Sequence, residues 1–143
     1  MTMKGSEVVS LLTTVDPISS ATVVSSAYVS VAEVARILAV VQTGLIAATG
    51  TLNAKLEQAT SGAGAGVKDI PGKAITALAD TADNKQILIN CRVEELDIAG
   101  GFAFVRLTIT PAVAAALIAG QIWGFDARFQ PKAHAASVVE TVG

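Results

Sequence analysis

A single cysteine, Cys91, excludes an intrachain disulfide, and a thiol inside an apolar run fits a reducing compartment and a small core residue better than a nucleophile. A single histidine, His134, leaves too few ligands for a His-based metal centre and no partnered base for a Ser-His-Asp triad. Lying in the Ala-rich segment 131–137, it is expected to be exposed and functionally silent. Charge is also scarce. Asp, Glu, Lys and Arg make up 15% of the chain, against about 25% in ordinary soluble domains. The ten Lys and Arg are scattered singly, so no basic stripe exists to neutralise a row of phosphates, and nucleic acid is not an expected partner. Aromatic residues are only 4%, so the core must be built from small aliphatic side chains.

What is abundant is Ala and Val. Hydrophobic residues reach 52% and mean hydropathy is +0.58, which excludes intrinsic disorder and points either to a membrane or to surface buried against partners. Two uncharged stretches, 37–54 and 107–125, are long enough to span a bilayer as helices. Both are broken by Gly, Thr and Gln, and neither has Lys/Arg flanks or an aromatic belt, so no membrane association is expected. The segment before Asp16-Pro17 is too short and polar for a signal peptide, and synthesis and assembly in a cytoplasm are expected. At 143 residues one domain with a sizeable core is expected.

The dominant period is two. Residues 51–57 alternate apolar and polar. Ile87, Ile89, Cys91 and Val93 share one face, and Val105, Leu107 and Ile109 point in while Arg106, Thr108 and Thr110 point out. Arg36–Thr43 and Gly120–Phe129 read as further strands, the second with Trp123, Phe125 and Phe129 on one side and Asp126 and Arg128 on the other. Weaker strands are expected over 21–31 and 72–78. Residues 111–119 fit helix or strand, with strand favoured, and 94–97 reads as a turn. Turn signals at 16–17, 49–50, 61–66, 83–84 and 100–101 separate these pieces. Together they predict an all-β, single-domain antiparallel sandwich, jelly-roll-like, with short helical turns at most. Its expected organisation is an N-terminal arm over 1–20, a sandwich over 21–130 and a C-terminal tail over 131–143.

Motifs with chemistry are few. The run Ser61–Gly66 lacks the third glycine of a dinucleotide fingerprint, and Gly72-Lys73 lacks the spacing of a P-loop, so a mobile hairpin loop is expected. Asp80–Asn84 lacks the spacing of a calcium loop and reads as a solvated turn. Glu94, Glu95 and Asp97 read as an exposed acidic rim, since adjacent acids on a turn point different ways. No catalytic, metal or cofactor residue is therefore nominated. The aromatics and neighbouring arginines supply the candidates instead. Tyr28, Phe102, Phe104, Arg106, Trp123, Phe125 and Arg128 form a candidate interface, with Phe102 and Phe104 expected outward beside Arg106.

The order of segments carries a resemblance. Tyr28–Val31 is followed by the strand to Val41-Gln42-Thr43-Gly44, by Ala54–Ala59 and by Gly64–Ile70. After these come Glu94–Asp97, Gly101–Thr110 and Gly124–Phe129. Over about residues 20–130 this resembles small structural proteins of tailed bacteriophages, most closely the jelly-roll capsid cement or decoration proteins. The resemblance implies a non-enzymatic virion protein on the capsid surface, made in the bacterial cytoplasm. Its expected partners are the major capsid protein and other copies of itself, as a trimer or dimer. Residues 7–20 and 131–143 would then reach neighbouring subunits. A tail, neck or head-fibre component is the alternative within virions. From other classes, a β-sandwich carbohydrate-binding module comes next and an enzyme third.

Overall fold

The structure is a computed structural model, and it describes residues 2–142. After one helical turn, Gly5–Val8, come ten strands: β1 Val9–Ser20, β2 Val24–Ser25, β3 Val29–Ser30, β4 Arg36–Ile46, β5 Thr51–Ala59, β6 Lys68–Ala74, β7 Leu78–Ala79, β8 Gln86–Arg92, β9 Phe104–Ala112 and β10 Ala116–Phe125. They form two antiparallel sheets. The first has the order β1-β10-β4-β8. The second has the order β2-β9-β5-β6, with β3 also on β9 and β7 also on β5. Taking β2 with β3 and β6 with β7 as two interrupted strands leaves eight, wound as two Greek keys. This is the strand order of a jelly roll.

Alternation makes the core. Ile37, Ala39 and Val41 of β4 and Ile118 and Ile122 of β10 face inward from the first sheet. They meet Leu52, Ala54 and Leu56 of β5 and Val105, Leu107 and Ile109 of β9. These small and medium aliphatic side chains interdigitate without any aromatic residue in the buried cluster. Inward Gly120 on β10 lets the sheets approach where a side chain would collide with Leu107, and inward Gly124 leaves room for Val34 and Leu12.

Five expectations need correction. The N-terminal arm is not an arm, because Val9–Ser20 is a twelve-residue edge strand paired with β10 along its length. A register shift between Leu11 and Thr13 breaks its alternation, so Ser10 to Thr13 are all buried and the period of two disappears. The segment 111–119 is neither helix nor one strand. It turns at 113–115 between β9 and β10, with Val113 at φ 70°. The strand expected over 120–129 runs from Ala116 to Phe125 and stops where Asp126 turns left-handed at φ 53°; Arg128 and the largely exposed Phe129 lie beyond it. The strands expected over 21–31 and 72–78 are each two pieces, β2 and β3 in the first case and β6 and β7 in the second.

Candidate binding face

Register places the outward side chains of the first sheet in rows, because directly opposed residues share a face. One row is Leu11, Trp123, Leu38 and Asn90, and the next is Gln121, Val40 and Leu88. On one side of these lies Ala119, Gln42 and Gln86, and on the other Phe125, Arg36 and Arg92. The centre of this face is therefore apolar and its margin is amides and arginines. Leu88 is 61% exposed and Leu117, further along β10, is exposed as well. Trp123 keeps its indole N–H engaged by donating to Gln121 Oε1 at 2.9 Å. Arg36 lies over the Phe125 ring at 5.9 Å and pairs with Asp126 at 2.5 Å.

The C-terminal segment borders this face. Leu11, the β1 member of the Trp123 row, is covered because Ala135 N–H donates to its carbonyl and its own N–H donates to His134 Nδ1 at 3.1 Å. The other ring nitrogen, Nε2, donates to Ser6 O at 3.0 Å, so the imidazole is the neutral Nε2–H tautomer. The histidine expected to be exposed is thus half-buried and bonded through both nitrogens. Between Ser137 and β1, β10 and β4 runs a groove of about 340 Å³ lined by Thr14, Val40, Gln42, Ala119 and Gln121. Its lining holds no converging pair of acids or bases. Among the described residues no group of three or more His, Cys, Asp or Glu could hold a metal ion.

The seven nominated residues divide between the two sheets. Trp123 and Phe125 lie on the face just described, and Arg128 is exposed near Arg36 and Arg92 at its lower end. Tyr28, Phe102, Phe104 and Arg106 lie on the opposite side of the molecule, half-buried and occupied within the chain. Arg106 stacks on Tyr28 at 4.7 Å and pairs with Glu57 at 3.2 Å. Lys68 sits over Phe102 at 4.2 Å and pairs with Asp97 at 2.6 Å.

The Ser61–Gly66 loop explains why those rings are covered. It is closed by Thr60 N–H to Ala65 O, Gly64 N–H to Ser61 O and Ala65 N–H to Ser61 Oγ. Its glycines rest on Phe104, Tyr28 and Phe102 in turn, and a Cβ on Gly64 would fall 2.7 Å from the Tyr28 ring. The loop expected to be free is a lid on three aromatics, and the outward exposure expected for Phe102 and Phe104 is not found. Burial raises the Tyr28 phenol above its ordinary pKa against the opposing pull of Arg106, and the hydroxyl is buried without a partner.

The acidic residues are used structurally. Lys68 and the Gly100 N–H hold Asp97 below the ordinary carboxylate range, and the Arg92 N–H and Lys73 do the same for Glu95. Buried Gln58 ties this turn to β6, accepting from Asp97 N–H at 2.8 Å and donating to Asp69 O at 3.2 Å. Asp80 and Asp83 accept the N–H groups of Thr49 and Ile46. Burial, followed by nearby Glu95, pushes the Cys91 thiol up to about 11, which keeps it protonated and unreactive at neutral pH.

Sequence reasoning passed over Leu38, Val40 and Leu88. Their signal was available in the alternation of β4 and β8, but it identifies an exposed face only once the buried face is known. Fold and face together define an all-β sandwich of jelly-roll strand order with an outward, apolar-centred sheet face. No protein-family model matches the chain, and no curated protein matches it either.

Proposed function

We propose that the chain is a non-enzymatic structural protein that binds and stabilises an assembled bacteriophage capsid shell, docking on the major capsid protein through the outer face of the four-stranded sheet. The observation that carries this reading is the apolar centre formed by Trp123, Leu38, Val40 and Leu88 on the outer side of the four-stranded sheet, rimmed by Gln42, Gln86, Gln121, Asn90, Arg36 and Arg92. An apolar centre within a polar rim is the anatomy of a protein-binding patch. The jelly-roll strand order agrees with the resemblance over residues 20–130.

The mechanism is linkage. A protein that binds the assembled shell and not its free subunits lowers the free energy of the shell by mass action. Each Å² of apolar surface removed from water contributes about 25 cal/mol, so a small patch gives a weak single contact. Many equivalent sites on one shell, engaged by an oligomer, multiply that contact through avidity.

Co-sedimentation with expanded shells, unexpanded shells, free capsid subunits and tail tubes tests the proposal. Saturable binding to expanded shells, absent for free subunits and lost in a Trp123→Ala, Val40→Thr variant, is the expected result. Binding to tail tubes alone would move the protein to the tail, and binding to none would overturn a virion role and direct the search to glycan arrays.

A further inference from the structure

Among the described residues, every sheet edge is guarded along its length except β8, which is closed only at its Arg92 end by Glu95 and Lys73. β1 carries register shifts at Leu11/Thr13 and Val15/Ile18 and contains Pro17. It is also overlaid by the C-terminal segment through Ser10 Oγ to Ala133 O and Ala135 N–H to Leu11 O. β2, β3 and β7 are two residues long, and β6 contains Pro71 and a register shift against β5. Bulges, prolines and short strands are the usual means of preventing edge-to-edge pairing. β8 has none of them. It runs seven residues in unbroken register with β4, without proline, and its only charge is the terminal Arg92.

The free backbone groups of β8 follow from parity. Thr43 N–H donates to Lys85 O and Val93 N–H to Ala35 O, so Lys85, Ile87, Ile89, Cys91 and Val93 turn their peptide groups toward β4. Gln86, Leu88, Asn90 and Arg92 turn theirs away. The Arg92 N–H is taken by Glu95 at 2.7 Å. Among the described residues, the outward N–H groups of Gln86, Leu88 and Asn90 have no partner.

We propose that β8 is a homodimerisation edge: two copies pair β8 antiparallel about a two-fold axis at Leu88, joining two four-stranded sheets into one of eight. The strand is self-complementary in this register. Leu88, the most exposed side chain of the apolar face apart from the turn residues, meets its own copy, and Gln86 meets Asn90 as an amide pair. On the core-facing side Ile87 meets Ile89. The antiparallel axis sets the Arg92–Glu94–Glu95 end of one copy beside the Asp83–Lys85 end of the other. No like charges stand directly opposed. Each opposed pair of outward residues exchanges two backbone hydrogen bonds, and a closed two-fold contact uses up both edges without propagating into a filament. The pairing also makes the two apolar faces continuous, though it does not depend on what those faces bind.

Sedimentation equilibrium on the purified protein is the test. Wild type sediments as a dimer. Leu88→Lys, which places two ammonium groups together at the axis, weakens the dimer about tenfold or more, while Leu117→Lys, on the same face but on β10, does not. Oxidised Leu88→Cys runs as a covalent dimer and Leu117→Cys does not, because axis residues lie at a Cα separation of about 5.5 Å, within the range a disulfide spans. Cys91, buried and held protonated, does not compete. A monomeric wild type, or a dimer that Leu88→Lys leaves intact, overturns the proposal. Shell binding by a monomer would remove the dimer and leave the docking face standing.

Discussion

Leu107 of β9 reaches across the sandwich to the bare backbone of Gly120 on β10: a Cβ at Gly120 would stand 2.6 Å from Leu107 Cδ2 and 3.3 Å from Ile109 Cδ1. All three residues are buried, so the Leu107 and Ile109 side chains can yield only by displacing their neighbours in the core. Gly120→Ala therefore overpacks the centre of the core and lowers stability by about 1–3 kcal/mol. Urea denaturation reads this as a lower midpoint with unchanged slope.

The lid on the aromatics makes a paired prediction. Gly64 has φ 85° and faces the Tyr28 ring, whereas a Cβ on Gly62 would meet only Phe104 at an ordinary 3.6 Å. Gly64→Ala combines left-handed strain with a clash and destabilises by about 1–3 kcal/mol, with a change in near-ultraviolet circular dichroism. Gly62→Ala stays within about 0.5 kcal/mol of wild type. Equal effects of the two would show that the loop does not rest on the rings.

His134 clips the C-terminal segment to β1 through Leu11 and Ser6. His134→Ala removes both bonds and leaves the sheets paired, at a cost of about 1–2 kcal/mol. Hydrogen exchange checks it locally: the Leu11 and Ala135 amides lose protection, while Ile122 in the middle of β10 keeps its own.

Acid unfolding has a defined sign. Asp97, Glu95 and Glu33 are held below the ordinary carboxylate range, chiefly by Lys68, the Arg92 N–H and Lys132 respectively. A carboxylate with a depressed folded pKa contributes stability that is present above its unfolded pKa and lost as pH falls through the folded value. Urea midpoints should fall on acidification from neutrality through and below the ordinary carboxylate range. Lys68→Met should flatten that fall by releasing Asp97 from its main cationic partner.

Legibility in the sequence followed the range of each signal. Strand alternation is local, so Ile87 to Cys91, Thr51 to Leu56 and Val105 to Ile109 could be assigned to faces without knowing their neighbours, and the buried positions agree. The break expected over 94–97 was equally local, although it takes the form of a 3-10 helical turn over Val93–Glu95 that ends before Asp97. Of the candidate interface, Trp123 and Phe125 fall on the open face, while Tyr28, Phe102, Phe104 and Arg106 do not. Alternation pointed Phe104 outward from the core correctly, but a glycine loop more than forty residues earlier covers it.

The amino-acid pattern alone was enough for an all-β sandwich with an aliphatic core, because burying one side of a pleated strand imposes a period of two on the chain. Tertiary structure decided the rest. Ser10 to Thr13 are buried together because a bulge and residues 133–135 cover the strand from a distance of over 120 positions. The rings of Tyr28, Phe102 and Phe104 are occupied because the 61–66 loop folds over them, and the outward backbone of Gln86, Leu88 and Asn90 is left open because Lys73 of β6 and Glu95 close only the Arg92 end of β8. Such coverage is a matter of which distant pieces of chain arrive at a surface, and no local period records it.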